Sequence, residues 1–217
     1  MNPAVAGAVE CAGVRQGDPL NPTPLLRPAA QPALDPPLDY RHRLRTTPLG
    51  WPLQATWCVW VEPTEPGDVP SATADRWQEA VAAALAEWAP LLPIQMVPVP
   101  ERAQVTIWRR RPPLGLDPAG RPRASHGRAI LSLHRPVAGR VEPRVRLLIS
   151  PGQRREAIQA TALHELGHAF GLWGHSDDPA DAMAVSPGSQ PILRLSARDR
   201  ATVRWLYGQP TPMRSDP

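Results

Sequence analysis

The sequence predicts an α+β domain, and three stretches carry that reading. A β-type run, Trp57-Cys58-Val59-Trp60-Val61, is followed by a long alanine-rich amphipathic segment and then by further short apolar runs. After those runs comes a helical stretch holding His164-Glu165-Leu166-Gly167-His168. The remaining chain is irregular until Ser196, where a capping pattern opens a last helix.

Residues 1–45 read as a Pro-rich leader, disordered or extended. Pro19, Pro22, Pro24, Pro28, Pro32, Pro36 and Pro37 deny it both helix and ladder pairing. A plain linker is the default meaning of such a stretch, with a Pro-rich partner ligand as the rival. The folded unit is expected over 46–208, with 209–217 as a C-terminal tail. Its first strand is Trp57 to Val61. Ala74 to Ala89 is a helix, because Trp77, Val81, Leu85 and Trp88 share one face, and Pro90 and Pro93 end it. Val105-Thr106-Ile107-Trp108, Ala129 to Leu133 and Val145 to Ile149 are three more strands. Ser150 is an expected N-cap, with Pro151 in the first position and Gln153 completing a capping-box-like pattern. That helix is expected to run to about Phe170, with Ile158, Ala162, Leu166 and Ala169 facing the sheet. The part from 172 to 208 forms a small lower region. Ser196 caps its closing helix with Asp199 three residues on, and Val203 and Leu206 point inward.

Composition bounds the function. The chain has 217 residues and 42% hydrophobic content, enough for one domain with a proper core. Net charge is +4, and arginine supplies every Lys/Arg-type charge. The arginines are scattered apart from Arg109-Arg110-Arg111 and Arg154-Arg155, and no nucleic-acid motif accompanies them, so a solvated basic surface is expected and nucleic acid is not. No run of about 18 apolar residues offers a membrane span. The two cysteines do not make a disulfide framework. Cys58 reads as a buried small hydrophobe and Cys11 as an incidental thiol.

The chemistry sits in His164 to His175. On a helix, His164 and His168 project from one face and can share one tetrahedral zinc. Glu165 lies about 100° round the helix, beside the metal, where it can reach an activated water without taking a coordination position. Gly171 stands where the helix should stop, since glycine turns the chain back at no steric cost. That reversal brings His175 round as the third ligand. Three imidazoles leave the open position that a catalytic zinc requires.

This stretch resembles the metzincin metallopeptidases, whose pattern is H-E-x-x-H-x-x-G-x-x-H followed by a Met-turn. It is most similar to matrixin-like peptidases, including predicted bacterial ones. His175-Ser176 with Pro179, Asp181, Ala182 and Met183 resembles the H-S-x-x-P-x-A-x-M segment of that family. Leu195-Ser196-Ala197-Arg198-Asp199 and Trp205-Leu206-Tyr207-Gly208 resemble its last helix. The resemblance spans roughly residues 46–208 and is strongest over 160–208. It implies a twisted mixed sheet with a backing helix and an active-site helix, above a small irregular lower subdomain ending in a helix. It also implies that Met183 forms an apolar floor under the zinc histidines, orienting them without binding metal. One departure is visible. The standard third histidine would fall at 174, which is Gly174, so His175 comes one residue late. Gly174 can absorb the extra residue as a bulge. Asp177 or Asp178 is the substitute ligand.

The resemblance implies a zinc-dependent endopeptidase with Glu165 as general base, acting on a protein or peptide bound in extended form along an edge strand. Val185, Pro187, Ile192 and Leu195, within 184–195, are expected to wall the leaving-group side and to favour apolar side chains. The competing reading is a catalytically silent metzincin fold that binds peptides. A structural zinc site would favour four protein ligands rich in cysteine. One catalytic zinc is expected. A second structural zinc or a calcium near His126 and His134 is not, and neither is latency through Cys11. A monomer is expected. The N-terminus lacks the basic start and long apolar run of a secretory signal, whereas the family is mostly exported, so the sequence leaves open both an extracellular and a cytoplasmic location.

Overall fold

The alternation of buried and less buried residues along Val105–Trp108 and Glu142–Ile149 marks strands with one face on a core. In the computed structural model, which describes residues 11, 17–20, 26–29, 38–64, 71–116, 120–136, 141–185, 188–209 and 213, these become β6 and β10 of a mixed sheet. In chain order the elements are β1 (Gly17–Pro19), β2 (Arg27–Pro28), β3 (Arg45–Thr46), β4 (Trp57–Val61), α1 (Ser71–Trp88), β5 (Ile94–Met96), β6 (Val105–Trp108), β7 (Gly115–Leu116), β8 (Pro122–Arg123), β9 (Gly127–Pro136), β10 (Glu142–Ile149), α2 (Arg155–Ala169) and α3 (Ala197–Tyr207). The main sheet runs β1-β9-β10-β6-β4-β5. Its centre is parallel, whereas β9 lies antiparallel between β10 and β1.

Two helices cover one face of that sheet. Trp77, Val81, Leu85 and Trp88 of α1 meet Ile158, Ala162, Leu166 and Ala169 of α2 and Val105, Ile107, Val145 and Leu147 of the sheet in one core. The buried indoles also find acceptors: Trp77 Nε1 donates to Ile149 O and Trp88 Nε1 to Leu163 O, each at 3.2 Å. These bonds tie α1 to the end of β10 and to α2. Below, Trp57 Nε1 donates to the Tyr207 hydroxyl, which donates to Phe170 O, so α3 is tied to the end of α2. Ser196 and Asp199 form the expected capping box, with Val203 and Leu206 buried.

Several expectations need correcting. Cys11 and Cys58 are joined in a disulfide, so neither is a free thiol or merely a packing residue. Cys58 faces away from the main core, where Cys11, Trp60, Val97 and Ala103 form a second small cluster with it. The leader also pairs where its prolines were expected to prevent pairing: β1 adds to the sheet edge and β2 pairs with β3. Edge strands tolerate proline because only one side of the strand bonds. Tyr40 and Leu44 are fully buried in the main core, so the packed unit begins upstream of residue 46. In the tail, Met213 packs on Leu133 and Val141. Finally, α2 begins at Arg155, with no side-chain cap. The Ser150 N–H instead donates to His126 O, which extends the β9–β10 pairing and holds Ser150 strand-like, and Gln153 forms no cap.

Candidate metal centre

α2 ends in the reversal that Gly171 permits. Gly171 has φ +100, and a Cβ there would also strike Leu53 Cδ2 at 2.3 Å. The Leu172 N–H donates to Gly167 O and the Gly171 N–H to His168 O, closing the helix end. The chain then runs back beneath α2. Gly174 lies against the backbone of the upstream segment, where a Cβ would sit 2.3 Å from Arg43 O and 3.1 Å from Leu44 Cα. The Arg45 N–H donates to Trp173 O at 2.6 Å, so the extra residue is seated against residues 43–45.

This path brings His175 to the pair on α2. Its ring centroid lies 5.2 Å from that of His164 and 4.9 Å from that of His168, and the two helical rings are 4.9 Å apart. One ligand atom from each of the three lies within 4.8 Å of the others. Asp177 points elsewhere, pairing with Arg43 at 3.1 Å and Arg198 at 2.9 Å, and Asp178 pairs with Arg198 at 3.4 Å. His134 instead contacts Ser132 Oγ through Nε2 at 3.0 Å, and His126 bonds through its carbonyl to Ser150.

Orientation and protonation suit a metal. His164 Nδ1 lies 2.9 Å from Ala182 O and His168 Nδ1 lies 2.8 Å from Leu172 O. A carbonyl only accepts, so each Nδ1 carries the proton and each Nε2 keeps its lone pair for a ligand. Burial holds His164 down at about 4, against the pull of its bond to Ala182 O and with help from the neighbouring His175 ring. Burial and both neighbouring rings hold His168 far below its ordinary value, and burial lowers His175. Neutral imidazole is the form that binds metal. Three neutral nitrogen donors with a position to spare fit a catalytic zinc.

Around the rings lie residues that hold them. Met183 is fully buried, and its sulfur packs so closely on α2 that a Cβ at Gly167 would fall 2.2 Å from Sδ. The Ser176 N–H donates to Met183 O at 2.8 Å. Asp199 Oδ2 accepts the Ala182 N–H at 2.8 Å while Oδ1 accepts the Tyr40 hydroxyl at 2.8 Å. A buried relay thus runs from Tyr40 through Asp199 and Ala182 to His164. Trp173 stacks on His168, its centroid 5.4 Å away and the planes 16° apart.

Glu165 is 9% exposed and faces the start of β9. Burial pushes its carboxyl up to about 7, against the opposing pull of the Ala129 backbone and the Arg128 charge. Gly127 leaves it room, since a Cβ there would meet Oε1 at 2.6 Å. Gly127, Ala129, Gly167, Trp173 and the second role of Asp199 were missed in the sequence. A glycine opening a strand is a sign of close approach, and Gly127 carried that sign. The expected wall is only partly placed. Val185 is 70% exposed, Ile192 is half-buried and Leu195 is buried in the core, and Pro187 lies outside the described residues.

A family model described as Matrixin matches residues 56–208 of the chain. A search of curated proteins finds no match. The mixed sheet, backing helix, histidine helix and closing helix are an α+β fold consistent with that match.

Proposed function

The chain belongs to the matrixin family of metallopeptidases, and on that premise we propose that it is a zinc-dependent endopeptidase with His164, His168 and His175 as ligands and Glu165 as general base. The observation that carries this reading is the meeting of three imidazoles, with the buried Glu165 carboxyl on the same helix as two of them. Bound zinc would supply Lewis acidity and lower the pKa of water toward neutrality. Glu165 takes the proton of the attacking water and holds it in a site screened from solvent. It then gives that proton to the leaving amine. No covalent intermediate is needed. Ala182 O and Leu172 O keep His164 and His168 in the tautomer that binds metal. The substrate is a protein or peptide in extended form, added along the outer edge of β9. Among the described residues, no helix is long and apolar enough to cross a membrane. The Cys11–Cys58 bridge supports an oxidising, extracellular workplace, because such bonds persist there.

Glu165→Ala tests the proposal against the silent-fold alternative. On a quenched peptide library the variant is expected to lose turnover by roughly 10²–10⁴-fold while binding zinc as the wild type does. Undiminished cleavage would remove Glu165 from the mechanism. Cleavage that survives a strong zinc chelator would remove the metal.

A further inference from the structure

The strand β9 has two edges. On one, β10 pairs with Gly127 through His134. On the other, β1 pairs only with the far end: Gly17 with Pro136, Asp18 with Arg135 and Pro19 with His134. The Leu20 N–H adds a bond to Leu133 O at 2.8 Å. Among the described residues, no strand pairs with this outer edge over Gly127–Ser132. The near end of that stretch touches Glu165, through Gly127 and the Ala129 backbone. Backbone groups alternate between edges along a strand, so Ala129, Leu131 and Leu133 turn theirs to the same side. One continuous edge therefore leads from Glu165 to Leu20.

We propose that β1 is a built-in stop at the end of the substrate groove, limiting a bound peptide to about four residues on the N-terminal side of the scissile bond, as counted at ~3.3 Å per residue along β9. This rests on the endopeptidase reading for the position of that bond. A peptide added to the edge beside Ala129 meets Leu20 at Leu133, four residues along, about 13 Å away. Beyond Leu133 the ladder positions are already filled. Both partners of β9 run antiparallel to it, the slightly stronger arrangement, and a peptide that does the same lies in line with β1 and downstream of it. Its N-terminal residues are then the ones that collide.

The stop is held at both ends. Upstream, Cys11 is bonded to Cys58 on β4, and Arg102 Nη2 donates to Cys11 O at 3.0 Å. Downstream, β2 pairs with β3 and the Ala29 N–H donates to Leu44 O at 2.9 Å. Tethering of this kind gives β1 a high local concentration at the edge, against which a free peptide must compete.

The test uses the Glu165→Ala variant of the whole 217-residue chain and fluorescent peptides carrying two to eight residues on the N-terminal side of one cleavage site. Affinity is read by anisotropy, with kcat/KM of the wild type on the same series in parallel. Affinity is expected to rise through the fourth residue and then level off. Leu20→Pro lacks the N–H that Leu133 O accepts, so longer peptides should gain further, by about tenfold over the next residues, given two recovered backbone bonds. Leu20→Ala keeps that N–H and should keep the stop. An affinity of the Glu165→Ala protein that climbs steadily through eight residues overturns the proposal. A folded Leu20→Pro protein with the same limit also overturns it. The wild-type series decides alone if Leu20→Pro does not fold. A limit in binding without any wild-type cleavage keeps the stop and removes the endopeptidase reading, and no binding by any peptide removes both.

Discussion

Replacing Gly167 by alanine sets two effects of similar size against each other. Alanine in a helix interior gains about 1 kcal/mol over glycine. Against this, the new Cβ lands 2.2 Å from Met183 Sδ, 3.0 Å from Cε and 3.3 Å from Trp88 Cζ2. Ordinary contact needs the sulfur to retreat by about 1 Å or more. Met183 has no exposed surface into which to swing. Overpacking of this kind costs roughly 1–3 kcal/mol, so the net loss should be about 0–2 kcal/mol. At this chain length that lowers the melting midpoint of the metal-free protein by only a few degrees, at about 2–4 °C per kcal/mol. The larger effect should fall on the metal. Ala182, next to Met183, carries the carbonyl that holds His164 at 2.9 Å. Displacing such a supporting contact typically costs about 10–100-fold in metal affinity. Competition with a chromophoric chelator measures the affinity, and circular dichroism of the metal-free protein measures the midpoint. Zinc affinity unchanged alongside a raised midpoint would refute the reasoning, because Met183 would then not be braced between α2 and the ligands. Adding Met183→Ala to Gly167→Ala should relieve the collision and return part of the lost affinity.

Three further outcomes are expected. Gly127→Ala places a Cβ 2.6 Å from Glu165 Oε1 and 2.7 Å from Cγ, so kcat should fall on the order of 10²-fold while elemental analysis finds zinc unchanged. Normal turnover would mean that the carboxylate works from elsewhere. Cys58→Ser opens a cross-link spanning 47 residues, which the loop-entropy model values at about 4 kcal/mol, and denaturant unfolding should show a loss approaching that size. A loss under about 1 kcal/mol would mean that the bridge constrains little. Asp177 is held down at about 2, first by its bond to Arg198 and then by Arg43. Its folded pKa lies below its unfolded one, so the stability it gives is present above pH 3.8 and fades as pH falls through about 2. The side chain is 42% exposed, so solvent screening limits that stability to under about 1 kcal/mol. Wild type and Asp177→Asn should therefore differ in urea midpoint at pH 6 and converge toward pH 2. A gap independent of pH would contradict this.

Local signals reached far in this chain. The four-residue spacing of His164 and His168, the glycine at 171 and the capping pair Ser196–Asp199 are each decided within a few residues, and the structure places all of them as the sequence implied. The apolar faces of α1 and α2 were legible for the same reason, because helical period alone sorts inside from outside. The start of α2 was not. Ser150 has the chemistry of a cap, but its N–H is claimed by His126 O across the sheet, and a strand neighbour outranked the local preference.

What the sequence indicated by itself was a candidate donor set: histidines that could hold a metal, a glutamate next to one of them on the helix, and the glycine at which that helix breaks. What only tertiary structure decided was everything that depends on distant chain segments meeting. The Cys11–Cys58 bond, the pairing of Gly17–Pro19 with β9 and the line from Tyr40 through Asp199 to Ala182 are of that kind. So is the seating of Gly174 on Arg43, which gives the late histidine its path to the other two. A residue pattern records bonding capacity and local period. Which of two capable partners is met depends on the packing of the whole chain.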